Sequence, residues 1–128
     1  MLAELIVVPL GTGTSLRDEL AEVLKIIDAS GLAYQLTPSG TCMEGEWDDI
    51  VRVVHQCHER ARGVSAHVLT TITIEDERGA QDKLASNVAS LEEKLGRKLK
   101  RVGATIWPCA LVAATIGLRT IGAHRAAQ

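Results

Sequence analysis

An α+β fold is what this 128-residue chain predicts, and three observations carry the prediction. Two stretches place apolar residues at helical spacing. Four short segments are rich in Val, Ile, Leu and Thr, as strands are. Their order is β-α-β-β-α-β, with a tight reversal between the two central strands. That order is the split βαβ unit of a ferredoxin-like sandwich, in which two helices cover one face of a four-stranded antiparallel sheet.

The first strand is read at Leu2–Pro9, apolar nearly throughout, as a strand buried on both faces would be. Gly11-Thr12-Gly13-Thr14 breaks that run. Ser15, with Asp18 three residues later, marks a helix start, where the hydroxyl can accept from an orphan amide. Leu16, Leu20, Val23, Leu24 and Ile27 then follow at helical spacing, and Gly31 stands where a C-cap belongs. Leu32–Thr37 and Thr41–Glu44 are extended in character, and Pro38-Ser39-Gly40 between them predicts a β-hairpin.

A second helix is expected over 46–62, with Trp47, Ile50, Val51, Val54, Cys57 and Ala61 as its apolar stripe and Gly63 as its end. Ala66–Glu75 suits a strand with one face buried. The face of the sheet away from the helices would be broadly apolar, and self-association would cover it. An additional C-terminal helix follows, with Leu84, Val88, Leu91 and Leu95 in a 4-3-4 spacing that fits either an ordinary packing face or a coiled-coil seam. The apolar tail comes last: seventeen uncharged residues, Val102–Leu118, lie between Arg101 and Arg119. Gly103, Pro108 and Gly117 weaken it as a membrane span, so no membrane contact is expected. The domain reading is a ferredoxin-like body over 1–100 and an apolar extension over 101–128, buried against the body or a neighbouring subunit.

Composition removes several function classes. Fourteen Lys plus Arg against sixteen Asp plus Glu leave a net charge of −2, without the basic excess that phosphate-backbone binding needs. Trp47, Trp107 and Tyr34 are too few for a base-stacking platform, so no nucleic-acid partner is expected. Cys42, Cys57 and Cys109 are odd in number and lack CxxC spacing, which fits neither a disulfide framework nor a thiolate metal knuckle. The run Leu5–Leu10 is too short for a signal peptide, and the expected compartment is the reducing cytoplasm.

Three places could carry chemistry. Gly11–Ser15, between a strand and a helix N-terminus, could hold an anion on backbone amides, or be only a capped turn. It lacks the Lys of a phosphate loop, and Leu16 stands where a dinucleotide fingerprint needs glycine. Glu44-Gly45-Glu46-Trp47-Asp48-Asp49 gathers four carboxylates around an indole. It reads as helix-start chemistry, as a pocket for a planar cation, or as both. His55 and His58 share a helix face, but His67 and His124 stand apart, and no metal is assigned. Cys57 falls on the apolar stripe as an inert core thiol. No nucleophile-base arrangement is evident, and no catalytic residue is assigned.

Val8-Pro9-Leu10-Gly11-Thr12-Gly13, Glu22–Ile27 with Ser30-Gly31-Leu32, Tyr34-Gln35-Leu36-Thr37-Pro38, Gly40-Thr41 and Glu44-Gly45-Glu46-Trp47 together resemble the thiamine-binding protein family. Cys57-His58-Glu59 and Thr70-Thr71-Ile72-Thr73-Ile74 continue the likeness, which covers about Leu2 to Leu95. The resemblance implies a ferredoxin-like domain that assembles into homodimers or homotetramers. It also implies non-enzymatic binding of thiamine or its hydroxymethylpyrimidine moiety, as carrier, buffer or sensor and without a cofactor. It places the ligand among Thr12, Gly13, Ser15, Thr37, Thr41, Glu44 and Trp47, with the pyrimidine on Thr37, Thr41 and Glu44 and the thiazolium cation near a carboxylate or Trp47. Two rivals stand beside it. One is an enzyme acting on a thiamine-related substrate through Glu44, Glu46 or Asp48 as general base. The other is a structural or regulatory oligomer with a protein partner on the tail, which departs from the family pattern beyond Lys100.

Overall fold

The computed structural model describes residues 1–13 and 15–100, and its first element is strand β1 (Leu2–Leu10). Helix α1 (Leu16–Ala29), strands β2 (Ala33–Leu36) and β3 (Thr41–Glu44), helix α2 (Trp47–Arg62), strand β4 (His67–Glu75) and helix α3 (Lys83–Leu95) follow. The sheet order is β2-β3-β1-β4, antiparallel throughout. With α1 and α2 as the two crossovers, this is the ferredoxin-like arrangement. The expected additional helix is α3, and Met1–Leu95 forms one compact unit. The apolar segment beyond residue 100 lies outside the described residues.

Strand alternation decides where the core sits. Ala3, Leu5 and Val7 of β1 point under the helices and are buried with Met43 of β3. Val23 and Ile27 of α1, and Ile50, Val53, Cys57 and Ala61 of α2, close over them. The other side of β1, carrying Glu4, Ile6 and Val8, is only half-buried, which corrects the expectation of burial on both faces.

Three local expectations change. The Ser15 hydroxyl makes no capping bond; the residue starts α1 through its carbonyl, which accepts from Asp18 N at 3.0 Å and Glu19 N at 3.3 Å. The C-cap is Ser30, with Gly31 following at φ +76° in the left-handed region. On α2 the buried stripe runs through Val53 and leaves Trp47 and Val51 exposed. Positions 50, 53, 57 and 61 follow helical spacing as well as the expected set does, and the run Val51-Arg52-Val53-Val54 offers apolar side chains to either phase.

Candidate functional site

A mismatch in strand length creates the main cavity. β1 pairs with β4 along all of Leu2–Leu10, but with β3 only from Leu2 to Leu5. The β2–β3 hairpin turns back at Thr37–Gly40, so from Ile6 onward β1 has no strand on that side. Helix α1 roofs the gap. The resulting space, about 740 Å³, falls within the roughly 300–1,000 Å³ of small-molecule sites. Leu5, Val7, Leu20, Leu24 and Leu36 give it apolar walls, and Thr37 and Thr41 supply hydroxyls.

Those two threonines play different parts. Thr37 Oγ1 donates to the Gly40 carbonyl at 3.0 Å and accepts from Gly40 N at 3.0 Å, while Thr37 N donates to the same carbonyl at 2.8 Å. Its hydroxyl is therefore spent on closing the turn. Gly40 itself presses on β1: a Cβ there would stand 2.8 Å from the Leu5 carbonyl oxygen, so only glycine fits. Thr41, by contrast, is 6% exposed, lines the cavity, and has no side-chain hydrogen-bond partner among the described residues. The hydroxyl oxygen is not enclosed, so it remains open to a partner that enters the cavity.

The β1–α1 turn adjoins this space. Gly11 and Gly13 both adopt φ +67°, a conformation suited to glycine. Ser15 leads directly into the cavity walls Leu16 and Arg17, whereas Thr12, Gly13 and Ser15 are not among the wall residues. Arg17 is the one charged group among the described lining residues.

Glu44 and Trp47 lie elsewhere. Thr41 and Met43 share the helix-covered face, and the alternation of β3 turns Cys42 and Glu44 to the opposite face. Glu44 and Glu75 flank Leu2 in one row across three strands. There the Glu44 carboxylate accepts from Lys83 N at 2.9 Å and Leu84 N at 3.1 Å, capping α3 from a distant part of the chain. Asp82, at φ 55°, precedes the helix in the left-handed region rather than the extended one typical of an N-cap. The hydrogen bond from Lys83 N, with a lesser contribution from that of Leu84 N, holds the Glu44 carboxyl below the usual carboxylate range against the opposing effect of burial. Lys83 Nζ binds Glu75, and Glu77 at 2.7 Å; both carboxylates raise its pKa. Trp47 opens α2 with 53% of its surface exposed.

The remaining reactive side chains are structural in placement. Cys57 is fully buried, its thiol pushed up to about 11 by desolvation. His58 Nδ1 lies 2.7 Å from Thr70 Oγ1, and His55 is exposed. Among the described residues no group of His, Cys, Asp and Glu could hold a metal ion, and no helix is long and apolar enough to cross a membrane.

Arg17, Leu20, Leu24, Leu36 and Gly40 escaped the sequence reading of the site. The available signals were the hairpin pairing of Leu36 with Thr41 and the i, i+4 row Leu16, Leu20, Leu24.

Comparison with known proteins accords with this fold. The YqgV protein of Bacillus subtilis, in the group named UPF0045, is 36% identical over 100 residues, covering 73% of this chain and 96% of its own. A UPF0045 protein of Methanothermobacter thermautotrophicus is 35% identical over 96 residues, covering 73% and 97%. The crystal structure of MJ1052 from Methanocaldococcus jannaschii superposes with a TM-score of 0.66 at 20% identity, covering 72% of this chain and 95% of that one. A candidate thiamine biosynthesis/salvage protein of Thermotoga maritima gives 0.61 at 20% identity, covering 70% and 96%. The family model described as Thiamine-binding protein matches residues 3–92, and the chain belongs to that family.

Proposed function

We propose that this protein binds thiamine or its hydroxymethylpyrimidine moiety, without turnover, in the cavity between α1, β1 and the β2–β3 turn. The observation that carries the reading is the Thr41 hydroxyl, which has no hydrogen-bond partner among the described residues and belongs to a wall of a largely apolar space of small-molecule size. An aminopyrimidine offers both ring-nitrogen acceptors and an amino donor, and a hydroxyl can serve either. The leucine walls suit the faces of the ring, and the edge of β1 beyond Leu5 offers backbone groups with no strand beside them. Family membership and the name of the Thermotoga maritima neighbour support the ligand class. The thiazolium end would lie toward the opening.

The enzymatic rival requires a carboxylate raised in pKa within the site. Glu44 is shifted in the opposite direction, and no described cavity wall is acidic. The role is thus carrier, buffer or sensor, in a cytoplasmic homodimer or homotetramer that covers the exposed Leu10 and Leu69 of the open sheet face. Ligand binding would stabilise such an assembly by linkage.

Calorimetric titration with hydroxymethylpyrimidine and with thiamine tests this. Saturable binding of one or both is expected, and Thr41→Val, nearly the same shape without the hydroxyl, should weaken it at least about tenfold. Unchanged affinity in a folded Thr41→Val protein, or no binding by the native protein, would refute the assignment.

A further inference from the structure

One long strand edge is open. In the sheet order β2-β3-β1-β4 the two outer strands differ in length: β2 has four residues and β4 has nine. Among the described residues no strand lies beside β4 on its outer side. Thr71, Ile72 and Thr73 at its centre are all exposed, and Ile72 keeps 37% of its surface open although it pairs with the buried Leu5. Alternation alone would expose every second residue, so consecutive exposure marks an open flank. The devices that guard such edges are missing. His67–Glu75 holds no Lys, Arg or Pro, and its register with β1 runs from Leu2↔Glu75 to Leu10↔His67 without a bulge. Val68, Thr70, Thr71, Ile72, Thr73 and Ile74 are all β-branched and favour a strand.

We infer that β4 pairs antiparallel with β4 of a second copy, in a register centred on Thr71, so that two four-stranded sheets join edge to edge. The inference rests on the self-association proposed above and adds the edge and the register through which it occurs. The strand is most complementary to itself in that register. A two-fold axis at Thr71 pairs all nine residues. On the side of the helices Val68 meets Ile74 of the second copy, and Thr70 meets its Ile72. On the open face Leu69 meets Thr73, and His67 meets Glu75, an imidazole donor opposite a carboxylate acceptor at each end. Glu75 also takes Lys83, but its side chain stays 55% exposed. Centring on Thr70 would leave Glu75 beyond the pairing, and centring on Ile72 would set it against Leu69. The ligand cavity lies on the other side of β1 and no β4 residue lines it, so the pairing leaves it open.

The test is NMR of the full chain with valine and isoleucine methyl groups labelled, with the molar mass read in parallel by analytical ultracentrifugation. Within one chain Val68 and Ile74 stand roughly 20 Å apart along the strand, too far for a nuclear Overhauser effect. In the proposed pairing they face one another with Cβ atoms about 4.5–5.5 Å apart. A Val68–Ile74 cross-peak is expected, together with the mass of a dimer or tetramer. An assembled protein without that cross-peak would overturn the inference by placing the contact elsewhere, and would leave self-association standing. A monomer at the concentration of the NMR sample would overturn both.

Discussion

Replacing Ile50 by alanine is expected to cost about 2–5 kcal/mol of folding free energy, the range for deleting a buried branched side chain and leaving a cavity. Ile50 is fully buried where α2 packs on the sheet, in one cluster with Leu5, Met43 and Ile27. Most of its buried neighbours belong to two helices and the sheet, which limits how far the space can collapse. A domain of this size has roughly 5–15 kcal/mol in total, so the loss should lower the unfolding midpoint by about 10 °C or more. Ile50→Val should cost only about 0.5–1.5 kcal/mol. The comparison that fixes the phase of α2 is Val51→Ala, which removes an exposed side chain and should stay within about 0.5 kcal/mol of native. Thermal and denaturant unfolding read all three. A Val51→Ala cost as large as that of Ile50→Ala would mean that α2 buries a different face.

The second large effect concerns Glu44. Two amides of α3 donate to its carboxylate, so Glu44→Ala should destabilise the start of that helix by about 1–3 kcal/mol, as for hydrogen bonds to a charged acceptor. The sign of the pH dependence follows from the direction of the shift. The folded-state pKa is lowered, so this stabilisation is complete above the ordinary carboxylate value and is lost as pH falls through the lower folded value. Amide resonances of Lys83 and Leu84, followed from neutral to acid pH, should titrate together below the usual glutamate range. Titration at an unshifted glutamate value would show that the cap does not form in solution. The Thr41 face of the same strand should be unaffected, since Glu44 points to the other side.

That opposition shows how far the sequence could be read. The hairpin followed from Pro38-Ser39-Gly40, the helix ends from Ser15 and Gly63, and the sheet order from the β-α-β-β-α-β succession, because local turn chemistry and periodicity set all three. The phase of α2 was ambiguous because Val51, Val53 and Val54 are interchangeable in hydrophobicity, and only the position of the sheet selects Val53. Thr37 and Thr41 were placed near one another by the turn between them, and both line the cavity. Thr41 and Glu44 were grouped as neighbours in sequence, although three residues along a strand separates side chains by roughly 10 Å and turns them to opposite faces. The acidic cluster from Glu44 to Asp49 then divides: Glu44 caps α3 and Asp49 pairs with Arg52 on α2. Arg17, an exposed arginine in the first turn of α1, reads from sequence as a solvated charge, and only the fold brings it among the cavity walls.

The most direct measurement is a two-dimensional NMR titration of the folded chain with hydroxymethylpyrimidine, observing backbone amides and leucine methyl groups. Binding in the cavity predicts shifts that saturate together at Leu5, Leu20, Leu24, Leu36 and Thr41, with Lys83, Leu84 and the Trp47 indole unmoved. Shifts centred on Glu44–Trp47 with the leucine methyls silent would place the ligand on the acidic turn and contradict the cavity assignment.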